Sequence, residues 1–336
     1  MNKGGIYVNW ELVADDVIKG KVLTWNEALS ILECPDEDLL KLLDGAFKIR
    51  RHYYGKKVKL NMIMNTKSGL CPENCGYCSQ SSVSKAPIQK YRMLDKETIL
   101  KGAEQAHHLQ VGTYCIVASG RGPTDKEVSH VTSAVEEIKE KYGLKVCACL
   151  GILKPEQADK LKEAGVDRYN HNLNTSKEHH NEITTSHTYD DRLNTIAIVK
   201  KSGISPCSGV IVGMRESLQD VVNMAFSLKE LDADSIPVNF LHAIDGTPLE
   251  GTNELNPRYC LKVLALFRYI NPTKEIRISG GREVNLRSLQ PLGLFAANSI
   301  FVGDYLTTVG QESTADHKML EDLGFEIDFQ FHESKV

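Results

Sequence analysis

The 336-residue chain is 41% hydrophobic and 25% charged, with a formal net charge of −4. Those proportions are those of an ordinary folded protein and exclude a disordered, collagenous or coiled-coil chain. The near-balanced charge provides no field to draw the chain onto nucleic acid, and the longest apolar runs, such as residues 263–267, cannot span a membrane.

At the N-terminus, Glu11, Asp15 and Asp16 interrupt any secretory signal before an apolar stretch develops, so a soluble, cytoplasmic protein is expected. Residues 1–58 read as a charged helical extension. Thr24 is positioned to cap a helix over 25–32, and Asp36 opens another that runs through Leu39, Leu40, Leu43 and Phe47. From Leu60 the pattern becomes short apolar strands alternating with amphipathic helices. The expected strands are 60–65, 113–118, 145–150, 166–171, 208–212, 235–241, 275–279 and 299–302. Helical segments at 96–109, 125–142, 155–164, 190–201, 218–231 and 256–270 lie between them, and Gly112, Gly143, Gly165 and Gly203 mark helix ends and loops. Eight strands each followed by a helical stretch predict an α/β fold, a (β/α)8 TIM-type barrel over 59–325 with a C-terminal tail at 326–336. The alternative, an open doubly wound sheet, lacks the glycine-rich phosphate turn after its first strand.

Nine cysteines occur: Cys34, Cys71, Cys75, Cys78, Cys115, Cys147, Cys149, Cys207 and Cys260. In a reducing compartment, clustered thiols point to metal or catalysis rather than cross-links. Cys71-Pro-Glu-Asn-Cys75-Gly-Tyr-Cys78 follows the first strand, where a barrel carries its chemistry. Pro72, Asn74 and Gly76 favour a loop that gathers its thiols over a helical stripe. Three thiolates without an obvious fourth ligand suit a cubane iron–sulfur cluster with one open iron; a structural zinc ordinarily takes four ligands. Cys115, Cys147 and Cys207 fall on separate strands. Each alone reads as a small buried hydrophobe, but three around one barrel suggest a second metal centre. Cys34 and Cys260, on amphipathic helices, read as packing residues. The adjacent pairs His107-His108 and His179-His180 read as surface histidines, since helical neighbours point about 100° apart.

The Cys71, Cys75, Tyr77, Cys78 pattern resembles the signature of the radical S-adenosylmethionine superfamily. Over nearly the whole chain, the stretches at 69–80, 169–175, 207–213, 246–249 and 276–283 resemble the biotin synthase family within it. The resemblance implies a [4Fe–4S] cluster on Cys71, Cys75 and Cys78, with S-adenosylmethionine on the open iron. It also implies a [2Fe–2S] cluster on Cys115, Cys147, Cys207 and Arg277, the last a ligand that ordinary guanidinium chemistry does not suggest. It assigns Tyr77, Asn172, Asn174, Arg192 and Ile211 to S-adenosylmethionine, and Asn170, Asn239, Thr307 and Thr308 to the substrate. Some members carry Asp where Asn174 stands, which retains an acceptor but changes the charge. The implied reaction is radical sulfur insertion into dethiobiotin, with a flavodoxin or ferredoxin as electron donor and a homodimeric assembly. Other radical enzymes share the first triplet without the strand-borne cysteines, and a non-catalytic iron–sulfur carrier would need four ligands per cluster. Cys147 and Cys149 share a strand face; the family context places the ligand at Cys147 and a non-ligand at Cys149.

Overall fold

The computed structural model describes residues 8–329. Ten parallel-paired strands follow in chain order: β1 (Lys57–Lys67), β2 (Thr113–Ala118), β3 (Lys145–Cys149), β4 (Arg168–Asn170), β5 (Ser205–Cys207), β6 (Val210–Val212), β7 (Ser235–Phe240), β8 (Glu275–Ile278), β9 (Ser299–Phe301) and β10 (Glu326–Ile327). Pairing runs β1-β2-β3-β4-β5-β7-β8-β9 and returns to β1, closing the barrel; β6 continues the line of β5 beside β7. Eight strand positions are therefore filled, as expected of a (β/α)8 barrel. Glu326 and Ile327, assigned by sequence to the tail, instead pair with Lys57 and Val58 at the outer end of β1. The rest of that tail, residues 330–336, lies outside the described residues.

The fifth position departs from the expected strand at 208–212: β5 ends at Cys207, residues 208–209 form a break, and only β6, Val210–Val212, falls within that range. Pro237 lies in the middle of β7 and has no N–H to offer. Opposite it sits Gly209, where an added Cβ would stand 1.9 Å from the Pro237 carbonyl oxygen. The ladder pairs Cys207 with Ser235, breaks at 208–209, and resumes with Val210 against Val238. In the break, the Gly209 N–H donates to Asn172 Oδ1 (3.0 Å) and its carbonyl accepts from the Asn174 N–H (3.1 Å). The lost ladder bonds are thus replaced by contacts to the loop after β4.

Strand alternation divides the residues cleanly. Outward positions such as Ile116, Val146, Val238, Ile276 and Ile300 are apolar and fully buried against the surrounding helices. Each such side chain contributes about 1.5–3 kcal/mol of transfer free energy. Inward positions are mostly cysteine, serine, asparagine and charged residues, with Ile63, Val117 and Phe301 among them, so the lumen is chemically unlike the outer core.

The helices are α1 (Trp10–Ile18), α2 (Trp25–Leu32), α3 (Leu39–Tyr54), α4 (Lys96–His108), α5 (Asp125–Tyr142), α6 (Pro155–Glu163), α7 (His180–Ile183), α8 (Tyr189–Lys201), α9 (Leu218–Glu230), α10 (Pro257–Ile270), α11 (Arg282–Leu286), α12 (Gln290–Gly293) and α13 (Ser313–Asp322). Thr24 caps α2 through a full capping box with Glu27. Asp36 opens a 3-10 turn over Asp36–Asp38 rather than the helix itself, which begins at Leu39. The N-terminal helices pack on α10, whose residues from Cys260 to Ile270 are all buried, as expected of a helix covered on both sides. Cys34 and Cys260 lie in this core. No helix among the described residues is long and apolar enough to cross a membrane.

Candidate active site

The strands are parallel, so their C-terminal ends share one mouth, and the loop after β1 lies across it. Within that loop the polar residues between the cysteines bond outward. Asn74 Oδ1 accepts from Thr184 Oγ1 (2.9 Å) and from the N–H groups of Thr185 and Ser186 (3.0 and 3.1 Å). The Gly76 N–H donates to the Ile183 carbonyl (2.9 Å). Anchored this way to residues 183–186, the loop turns Cys71, Cys75 and Cys78 into a cavity of about 420 Å³. Burial pushes the Cys78 thiol up to about 12 and raises Cys71 as well. These thiols are held protonated until a cation draws off the proton, the usual linkage of thiolate to metal.

Beside the loop lies a hydrogen-bonded relay. Glu73, 6% exposed, accepts from Ser186 Oγ (2.6 Å), from Arg121 Nη1 (3.1 Å) and from His187 Nδ1. Burial opposes its charge, but the bonds from Ser186, His187 and Arg121 outweigh it and hold the carboxyl below its ordinary range. Burial and the neighbouring Arg192 cation hold His187 below the usual imidazole range. The neutral ring therefore donates through Nδ1 and accepts through Nε2, which lies 2.6 Å from Arg192 Nη2. Arg192 Nη1 donates to the Asn172 carbonyl (2.7 Å). Asn174, in the left-handed region at φ 68°, directs its amide oxygen to Arg192 Nη1 and Nη2 (3.2 and 3.1 Å) and to the Tyr77 hydroxyl. Position 174 is thus an acceptor for a cation, a role either Asn or Asp can fill. Arg192 is 6% exposed, forms no ion pair among the described residues, and its Nε has no partner.

Deeper in the lumen, Cys115, Cys147 and Cys207 form one group walled by Ile63, Val117 and Phe301. Cys115 and Cys147 are direct partners across β2 and β3. A hydrogen bond with Cys115, reinforced by burial, holds the Cys147 thiol well above its ordinary range; Cys147 and burial do the same to Cys207. Cys149 is not part of this group. It lies two residues further along β3, about 7 Å at ~3.3 Å per residue, and lines the cavity, where burial pushes its thiol up to about 12 against the opposing pull of the Arg192 cation. Arg277 is 1% exposed, with Nη1 4.0 Å from Cys207 Sγ and its guanidinium 5.0 Å above the Phe301 ring.

The amides expected to meet a substrate line the same cavity. Asn170 Nδ2 donates to Asn172 Oδ1 (2.9 Å) and approaches Cys207 Sγ (3.3 Å). Asn239 bonds the Val210 carbonyl (2.9 Å) through Nδ2 and the Gly280 N–H (3.0 Å) through Oδ1, so both ends of its amide already have protein partners. Thr307 and Thr308 occupy the loop after β9 at the mouth, with Thr307 Oγ1 2.8 Å from Ser79 Oγ. Ile211 and Tyr77 pack on the apolar patch of Ile183, Met214, Leu241 and Leu249.

One expectation is overturned. His180 is not a surface residue: it is 2% exposed, with Nε2 3.0 Å from the His187 carbonyl, because α7 lies beneath the cysteine loop. Sequence reading also missed Glu73, His187 and His171. His171, 8% exposed, lines the cavity with Nε2 unpartnered, and burial holds its ring neutral. It stands between Asn170 and Asn172, the one available signal for it. His187 had none, because its role depends on a loop packing against a distant one.

A closed parallel barrel with a C-x₃-C-x₂-C loop at its mouth defines a radical S-adenosylmethionine enzyme. The model of the Radical SAM superfamily matches residues 66–228, and that of the Biotin and Thiamin Synthesis associated domain matches 237–326. The chain belongs to the biotin synthase family. It is 76% identical over 321 residues to biotin synthase from Geobacillus thermodenitrificans, covering 96% of this chain and 97% of that one. It is 75% identical over 319 residues to biotin synthase from Bacillus subtilis, covering 95% of each. Among solved structures, methylornithine synthase superposes with a TM-score of 0.81 at 21% identity, covering 94% of this chain and 97% of that one. The hydrogenase maturase HydG from Carboxydothermus hydrogenoformans gives 0.80 at 19% identity, covering 95% and 79%. At these identities the likeness is one of fold.

Proposed function

We infer that this chain converts dethiobiotin to biotin by radical sulfur insertion. The observation that carries the reading is a pair of thiol triplets, one at the mouth and one deep in a single closed lumen. In this reading Cys71, Cys75 and Cys78 hold a [4Fe–4S] cluster that leaves one iron for S-adenosylmethionine, and Cys115, Cys147, Cys207 and Arg277 hold a [2Fe–2S] cluster. Soft thiolates suit iron–sulfur centres. Bound there, the first cluster with S-adenosylmethionine supplies a 5′-deoxyadenosyl radical, and the second supplies sulfur.

The chain's own residues bind, orient and exclude water. Arg192, a buried cation with no carboxylate of its own, takes the carboxylate of S-adenosylmethionine, with Asn172 and Asn174 beside it. The apolar patch around Tyr77 and Ile211 suits adenine. Asn170 and Asn239 offer amide groups that match a ureido ring; Asn239 does so by exchanging or sharing its present bonds. Thr307 and Thr308 close the mouth over the substrate's carboxylate. Nothing in this chemistry requires a side chain to act as general acid or base; positioning in a closed lumen carries it. The one-electron donor is a flavodoxin or ferredoxin, and the working assembly is a cytoplasmic homodimer.

Optical and electron paramagnetic spectra of the anaerobically reconstituted protein test this reading. Cys75→Ala loses the spectral response to S-adenosylmethionine and keeps the deeper centre. Cys147→Ala does the converse, and Cys149→Ala keeps both. A single centre that survives both Cys75→Ala and Cys147→Ala contradicts the assignment.

A further inference from the structure

Beneath the deeper thiols lies a charged floor that the reaction as described leaves unused. Glu275 and Arg277 are two residues apart on β8 and share its inward face. Glu275 is 2% exposed, yet each of its oxygens is matched. Oε1 accepts from Arg277 Nη2 (2.6 Å) and Ser235 Oγ (3.1 Å), and Oε2 accepts from Arg168 Nη1 (2.8 Å) and Lys59 Nζ (3.2 Å). Three cations from three strands thus converge on one buried carboxylate. Desolvation offsets much of the Coulombic gain of a buried ionic network, so its presence is weak evidence for stability.

The effect on Arg277 is geometric. Its Nη2 is occupied by Glu275 and Ser235 (2.9 Å), and its Nε donates to Ser299 Oγ (3.2 Å). Phe301 covers one guanidinium face. The remaining nitrogen, Nη1, points to Cys207. Left alone, an arginine fork can present any of its nitrogens by rotating about its long stem; here that rotation is blocked on one side.

We propose that Glu275 is a positioning residue for the auxiliary centre, fixing the Arg277 guanidinium so that Nη1 is the nitrogen presented to the thiol group. Arg168 and Lys59 hold Glu275 in turn, from β4 and β1. The inference rests on the assignment of Cys115, Cys147, Cys207 and Arg277 to that centre. Charge gives it a second consequence. With its partners Arg168 and Lys59 counted, the floor under Arg277 carries one net positive charge, and neutralising Glu275 raises it to two. A more positive surrounding favours the reduced form of a cluster, so its midpoint potential rises.

The test compares wild type, Glu275→Gln and Glu275→Leu after anaerobic reconstitution, reading iron and sulfide content, visible spectrum and midpoint potential. Glu275→Leu is expected to lose the auxiliary iron and absorption while keeping the iron on Cys71, Cys75 and Cys78. Glu275→Gln, which still accepts from Arg277 and Ser235, is expected to restore the iron and to shift the auxiliary potential to a more positive value. Should the leucine variant fail to fold, as its melting curve reveals, the glutamine variant alone decides through its potential. Wild-type content, spectrum and potential in both variants overturns the role of Glu275 and leaves the auxiliary centre standing. A wild-type protein that takes up only the first cluster removes the centre itself, and this inference with it.

Discussion

Replacing Arg192 by alanine should lower binding and stability by very different amounts. In the ligand-free protein the guanidinium is 6% exposed and meets only neutral acceptors: the Asn172 carbonyl at 2.7 Å, Asn174 at 3.1 and 3.2 Å, and neutral His187 at 2.6 Å. A buried cation without an anion contributes little to folding, because desolvation offsets its hydrogen bonds. Arg192→Ala should therefore leave the denaturation midpoint close to wild type. Removing the cation leaves the carboxylate of S-adenosylmethionine desolvated and unpaired, which costs about 2–4 kcal/mol, or about 30- to 700-fold in Kd. Arg192→Lys keeps the charge but not the fork and should fall between the two. Anaerobic calorimetry with the reconstituted variants measures Kd, and thermal melts of the same samples measure stability. An unchanged Kd refutes the role of Arg192. A large loss of stability with an unchanged ratio of binding to folded protein makes it a structural residue instead.

Three further outcomes follow from the geometry. Gly209→Ala must push a Cβ against the Pro237 carbonyl at 1.9 Å and should destabilise by about 3 kcal/mol, the upper part of the range for overpacking; a wild-type urea midpoint contradicts the account of the split strand. Glu127 pairs with Lys67 at 2.7 Å, and despite burial, which opposes its charge, the Lys67 and Thr124 bonds hold its carboxyl below the ordinary 4.5. A lowered folded pKa means that its stabilisation is present above pH 4.5 and is lost as pH falls through the folded value; Glu127→Gln should cost about 0.5–1 kcal/mol at pH 7, with the gap to wild type closing below pH 4.5 in melts recorded across that window. His187→Phe removes the acceptor for Arg192 and should weaken S-adenosylmethionine binding about tenfold, roughly 1.4 kcal/mol, a change that equilibrium dialysis resolves.

The parts of this molecule legible in sequence are those governed by local rules. Thr24 and Glu27 stand three apart, and their capping box needs nothing from elsewhere in the chain. The alternation of eight apolar stretches with amphipathic ones is enough to infer a closed barrel, and the loop of Cys71, Cys75 and Cys78 declares itself by spacing. Elements set by contact with a distant partner were not legible. The break between β5 and β6 is caused by Pro237, some thirty residues further on. His180 is buried because α7 tucks under a loop from β1, so one member of a pair that looks helical and exposed is structural. Glu73 lies in plain view inside the cysteine motif, yet its importance depends on Ser186, His187 and Arg121. Glu275 reads as a polar residue opening a strand, and only closure of the barrel brings Arg168 and Lys59 to it.

The central claim is that one lumen joins radical generation at its mouth to sulfur donation at its floor. Its most direct test is a single anaerobic incubation of the reconstituted protein with dethiobiotin, S-adenosylmethionine and a one-electron reductant. Biotin and 5′-deoxyadenosine are quantified by mass spectrometry for the wild type and for Cys147→Ala. The account predicts both products from the wild type, and 5′-deoxyadenosine without biotin from Cys147→Ala. Biotin formation by a well-folded Cys147→Ala protein, or none by a wild type loaded with both clusters, would contradict it.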